Sequence, residues 1–136
     1  MRYLTGTYAL NIPCRLETDG DWHAPALNWA KPRMRESSES VFGEWGIERV
    51  PLPNYGNMTA PVADHLRACL DLIEGGYFGS AQGMRKNFIN NEAYTAQIFD
   101  KVTLLADRPS WNEIDAFLGK EYGCAWLSYR RANLGY

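Results

Sequence analysis

The sequence predicts an α+β fold in which an amino-terminal antiparallel sheet, a hairpin or meander, packs against three or four carboxy-terminal helices. Three observations carry that expectation. Aromatic and β-branched residues fall at even spacing early in the chain, the apolar period becomes helical from Thr59, and the two kinds of segment do not alternate. Parallel strands need long crossovers, usually helical, so segregated elements favour antiparallel pairing. The 136 residues are read as a single domain, with a strand-rich section over 1–55 and a mainly helical section over 59–136.

Residues 3–12 are rich in Tyr, Thr, Leu and Ile, with Leu4, Tyr8 and Leu10 evenly spaced, and Pro13 ends the run. Residues 15–18 and 22–29 are expected to pair across Asp19-Gly20, because both turn residues accept the positive φ of a tight hairpin. Residues 40–50 (SVFGEWGIERV) place Val41, Phe42, Trp45, Ile47 and Val50 around two glycines, the pattern of a bulged strand. Pro51 and Pro53 close this section, and 53–60 forms the seam.

Beyond it, Val62, Leu66, Cys69, Leu70 and Ile73 follow the i, i+4, i+7, i+8, i+11 rhythm of one buried helical stripe. Thr59 is the expected N-cap, Pro61 fits the first turn, and Gly75-Gly76 stops the helix. A shorter helix is expected within 77–89, weakened by Gly83. Asn91 caps a longer one reaching about Ala106, with Tyr94, Ile98, Val102 and Leu105 on one face. Ser110 and Glu113 form a capping box ahead of Trp111, Ile114, Phe117 and Leu118, and Gly123 ends that helix. Residues 124–129 (CAWLSY) are expected to return to the sheet as a final strand.

Composition narrows the function. The chain is 46% hydrophobic and 22% charged, ordinary for a soluble domain. Its net charge is −2, and the balance is even: six basic and seven acidic side chains in 1–58, eight and nine in 59–136. That is not the basic footprint of a nucleic-acid binder. No stretch approaches the roughly 20 apolar residues of a membrane span. Cys14, Cys69 and Cys124 are too few and too scattered for a disulfide framework or a zinc knuckle, so reduced thiols and a cytoplasmic location are expected.

The stretch ETDGDWHAPA carries the sharpest chemical pattern. In an extended chain Asp19, Asp21 and His23 share one face, and carboxylate–imidazole sets suit zinc, iron or manganese. With His65 folded against them they would make a small metal-dependent hydrolase. A turn at Asp19, however, rotates that residue away from the other two, which favours a solvated hairpin tip. His65 also lies one helical turn from Cys69, the spacing of a nucleophile pair, yet Cys69 belongs to the core stripe. The glycines at 75, 76, 79 and 83 fit no phosphate-binding loop.

The missing catalytic constellation, the near-neutral charge and the five Trp and eight Tyr together predict a non-enzymatic protein-binding module without a cofactor. A microbial regulator, inhibitor or antitoxin-like partner fits that profile. Trp22, Trp29, Trp45 and Tyr55 are the expected contact residues. The alternatives are the hydrolase and a nucleic-acid binder using Arg33, Arg35, Arg85, Lys86, Arg130 and Arg131; nucleic acid is the less favoured partner, and no membrane association is expected.

Overall fold

The computed structural model of the chain describes residues 1–52, 56 and 58–136, and these form an α+β structure with strands mostly early and helices mostly late. Four strands make one sheet: β1 (Arg2–Leu4), β2 (Met34–Glu36), β3 (Ile47–Pro51) and β4 (Thr59–Ala63), in the order β2-β1-β4-β3. β1 runs antiparallel to β2, with Tyr3 opposite Arg35. β3 and β4 are likewise antiparallel, from Ile47 opposite Ala63 to Pro51 opposite Thr59. The central pair is parallel, Leu4 against Val62, so the sheet is mixed and not wholly antiparallel. The physical reason is the long excursion between β1 and β4, which includes both edge strands and acts as the crossover that parallel neighbours require.

The expected hairpin at Asp19-Gly20 does not form. The strand-like run ends at Leu4, where Gly6, at φ +65°, opens the short helix α1 (Gly6–Leu10). The backbone around Asp19-Gly20 bonds distant segments instead of a facing strand: Gly20 N–H donates to the Phe88 carbonyl at 2.7 Å and Asp21 N–H to that of Leu10 at 2.8 Å. Residues 22–29 hold a single tight helical turn at Ala24–Ala26.

Five further helices follow among the described residues: α2 (His65–Glu74), α3 (Phe78–Ala81), α4 (Thr95–Val102), α5 (Trp111–Tyr122) and α6 (Cys124–Leu134). α2 begins later than expected because Thr59–Ala63 is taken by the sheet; its N-cap is Asp64, whose carboxylate accepts from Arg67 N–H at 2.8 Å. Met84–Ile89 forms a wide π-type turn. Asn91 caps its helical turn as expected, accepting from Ala93 N–H at 3.0 Å, whereas Ser110 precedes α5 without a capping bond. The expected final strand is α6. Gly123, at φ +57°, re-aims the chain there, and Trp126 is driven fully inside against Phe99 and Trp111 while its indole N–H donates to Asp115 at 2.7 Å.

α2 is the axis of the core. Every residue from His65 to Ile73 is buried, packed among Tyr3 and Leu4 of β1, Leu10 of α1, Ile98 and Val102 of α4, and Ile114 and Leu118 of α5. Each such aliphatic side chain removed from water contributes about 1.5–3 kcal/mol.

Three charged side chains lie on this helix, Arg67 and Asp71 within its buried span and Glu74 at its end. Arg67, with no exposure, donates Nε to Asp71 at 2.9 Å and Nη2 to the Tyr3 hydroxyl at 2.9 Å, and also reaches the Trp45 carbonyl. Asp71 additionally accepts from Tyr3 Oη at 2.5 Å, Thr5 Oγ1 at 2.7 Å and Arg35 Nη1 at 2.8 Å. One turn on, Glu74 takes Ser40 Oγ, the Val41 N–H, Arg35 and Arg108. Burial, followed by the Asp71 hydrogen bond, pushes the Tyr3 phenol upward, so it stays a neutral donor. The network ties β1, β2 and the 40–45 loop to one helix. No helix among the described residues is long and apolar enough to cross a membrane.

Candidate functional site

The residues singled out in ETDGDWHAPA meet the amino end of α2 and the 86–90 segment on one face of the molecule. A turn closed by Glu17 N–H on the Cys14 carbonyl (3.1 Å), with Glu17 at φ +57°, brings Thr18 back beside Cys14. Gly20 follows at φ +68°. A Cβ there would stand 2.3 Å from the Leu10 carbonyl oxygen and 2.7 Å from the His65 ring, so only glycine lets the loop lie this close.

The next residues are fixed from both sides. Asp21 Oδ1 accepts from Trp22 N–H at 2.9 Å and meets His23 Nδ1 at 2.5 Å. Asn11 accepts from His23 N–H at 2.8 Å and donates to Asp21 Oδ2 at 3.3 Å. Asp19 accepts from Asn90 Nδ2 at 2.8 Å, and Asn90 holds a positive φ that asparagine tolerates. The outcome is a braced loop that leaves Trp22 82% exposed. Two clefts flank the indole: one of about 200 Å³ toward Asn11, Thr18 and His65, and one of about 360 Å³ toward His23, Lys86 and Asn87.

Beneath the loop His65 is almost wholly buried. Its Nε2 lies 2.8 Å from the Ile12 carbonyl, which can only accept, so Nε2 carries a proton; Nδ1 lies 2.6 Å from Thr18 Oγ1. Thr18 Oγ1 in turn lies 3.6 Å from the Cys14 sulfur. Burial by itself pulls His65 down and Cys14 up. Hydrogen bonding and charge between the two groups outweigh it, holding the imidazole above and the thiol below their ordinary values.

The metal set of the alternative reading therefore divides. Asp21 and His23 come together; Asp19 turns to Asn90, and both nitrogens of His65 are committed to Ile12 and Thr18. Among the described residues no group of three or more His, Cys, Asp or Glu side chains is disposed to hold a metal ion. The His65–Cys69 pairing gives way to His65–Thr18–Cys14, and Cys69, fully buried, is held by its apolar surroundings as a neutral thiol. Cys14 and Thr18 escaped the sequence reading because nothing in local spacing connects them to residue 65.

The four expected contact residues have different fates. Trp22 projects into solvent. Trp29 is half-buried, edge-on to Tyr8 at 5.2 Å, its N–H bonded to the Ala24 carbonyl. Trp45 is half-buried beneath the Lys101 ammonium, 4.7 Å from the ring centre. Tyr55 lies outside the described residues. Of the six basic residues considered for nucleic acid, Arg35, Arg85 and Arg130 are paired with Asp71 and Glu74, Glu92, and Asp115. A further cleft, about 380 Å³, lies away from this face, where Arg33 covers the Tyr77 ring and the network already occupies Asp71 and Arg35.

No family model, curated protein or solved structure matches the chain at a significant level. The site therefore rests on its own geometry.

Proposed function

We propose that the chain is a non-enzymatic module that binds another protein, with Trp22 as its central anchor. The observation that carries this reading is an indole 82% exposed on a loop braced by bonds to Leu10, Asn11 and Phe88. A lone exposed aromatic is common, but this one stands on backbone already ordered before any encounter. Binding then costs little loop entropy, and a buried Trp is the residue type most enriched among interface hot spots. The flanking clefts, both lined by Asp19 and Asp21 and one of them also by Lys86, supply a polar rim around the apolar anchor. A cytoplasmic role as regulator, inhibitor or antitoxin-like partner belongs to the same proposal, supported only by the unpaired cysteines and the profile of the sequence.

The test is affinity capture from the producing cells with the full chain and its Trp22→Ala variant, followed by a titration against the recovered protein. One stoichiometric protein held by the parent and weakened by the variant about 30-fold, a hot-spot loss of roughly 2 kcal/mol, supports the proposal. Equal capture by both chains, or none by the parent, overturns it.

A further inference from the structure

We infer that Cys14 is a nucleophilic thiol, activated through Thr18 by the buried His65, and that its co-reactants are soft electrophiles of the hydroperoxide class. The inference stands apart from protein binding and rests on three side chains that the fold brings together, Cys14 and Thr18 from one turn and His65 from α2.

The hydrogen-bond directions are fixed by elimination. The Ile12 carbonyl accepts only, so His65 Nε2 donates to it and, in the neutral ring, Nδ1 has a free lone pair. That lone pair lies 2.6 Å from Thr18 Oγ1 and takes the hydroxyl proton. Thr18 then keeps oxygen lone pairs for the Cys14 S–H, 3.6 Å away. A proton can pass from sulfur to the Thr18 oxygen while the Thr18 proton passes to Nδ1. The products are a thiolate and an imidazolium with every bond retained: Nε2–H to Ile12, Nδ1–H to Thr18, Thr18 O–H to sulfur. No partner is lost in the transfer, which is the requirement for a base acting on a nucleophile through a bridging hydroxyl.

The surroundings divide on the charge this creates. The first-turn position of His65 on α2 and its burial disfavour an imidazolium, while the Asp64 carboxylate beside it favours one. Glu48 and Arg15 bear on Asp64 with opposite signs. Cys14 itself is half-buried, reachable by a small reagent, unlike Cys69, which is sealed in the core.

With a hydroperoxide the step is balanced. The thiolate attacks the terminal oxygen, an S–O bond forms as the O–O bond breaks, and the departing alkoxide or hydroxide takes one proton from water or back along the relay. Sulfur is oxidised by two electrons to a sulfenic acid, and the peroxide is reduced to an alcohol or water.

The three cysteines provide an internal control. The native chain is treated with iodoacetamide between pH 5.5 and 9, and separately with hydrogen peroxide followed by a sulfenic-acid trap; labelling at each cysteine is read by mass spectrometry. The thiolate is the reacting form, so a lowered thiol pKa enlarges the reactive fraction at pH 6.5, and lower nucleophilicity takes back only part of that gain. Cys14 in the parent is therefore expected to label at least about threefold faster at pH 6.5 than Cys14 in Thr18→Val, with Thr18→Ser restoring the rate. Its pH midpoint should lie below that of exposed Cys124, and Cys69 should stay unlabelled until the chain is denatured. Melting curves of both variants establish that they fold. A Cys14 midpoint equal to that of Cys124, an unchanged rate in Thr18→Val, or a trap signal confined to Cys124 would each overturn the inference.

Discussion

The body of α2 and its amino end are both polar, and they use polarity in opposite ways. Along the body, Arg67, Asp71 and Glu74 are bonded from several directions, and Asp71 alone takes four donors. At the amino end His65 has one partner at each nitrogen, and its Thr18 partner opens on a cleft beneath an exposed indole. Charge that is saturated and enclosed fixes the position of neighbouring elements. A group with one movable proton and a path to solvent is available for chemistry.

The comparison breaks most completely at Asp71. Asp71→Ala leaves two guanidinium groups and two hydroxyls without their acceptor and should cost about 3–5 kcal/mol, read as a lower urea midpoint. Gly20→Ala attacks the other region. Positive φ and the close Leu10 oxygen predict a loss on the order of 2 kcal/mol, together with loss of the Trp22 presentation. Asp64→Ala removes the cap between the two regions, for about 1 kcal/mol in the same melts.

A pH series sharpens the contrast. The His65 pKa is raised on folding, so its contribution to stability is fully present below the unfolded value near 6.5 and is lost as pH rises through the folded value. Cys14 is lowered, so its share is present above the unfolded value near 8.5 and is lost as pH falls through the folded one. The stability gap between the parent and His65→Gln should therefore narrow from pH 6 upward, and that between the parent and Cys14→Ser should narrow from pH 9 downward. Urea midpoints across this range check both signs. The smallest effect belongs to Trp22→Ala, within about 0.5 kcal/mol, because the indole contacts solvent rather than the core.

Much of the helical half was legible in sequence. The stripe Leu66, Cys69, Leu70 and Ile73 is buried on α2, as its period implied, and so are Ile98, Val102 and Leu105 and then Trp111, Ile114, Phe117 and Leu118. In α4 and α5 burial of one face sets that period; α2 is buried all round and shows it because Arg67 and Asp71 occupy the intervening positions. Residues 15–29 were misread because Asp19-Gly20 has the local chemistry of a hairpin, while its actual partners, Leu10 and Phe88, are chosen by tertiary packing. CAWLSY was misread for a related reason: aromatic content suggests a strand, but Trp126 and Tyr129 lie on one helical side and both contact Phe99. At the site, Asp21 with His23 was visible from a two-residue spacing. The Cys14–Thr18–His65 chain was not, since its geometry depends on α2 docking against a loop some fifty positions away.

The parallel pairing of Leu4 with Val62 predicts an order of events for folding. β1 lies inside the sheet, so β2 has no neighbour until β1 is placed, and β1 reaches β4 only after a loop of nearly sixty residues closes. Local contacts in α4, α5 and α6 and the β3–β4 hairpin carry no such entropic debt and can form early. The network on Asp71, which needs Tyr3 and Thr5 in position, is then completed by the docking of β1. The buried ion cluster is thus expected to close late in folding, and opening it on the way out is where the barrier to unfolding should be felt.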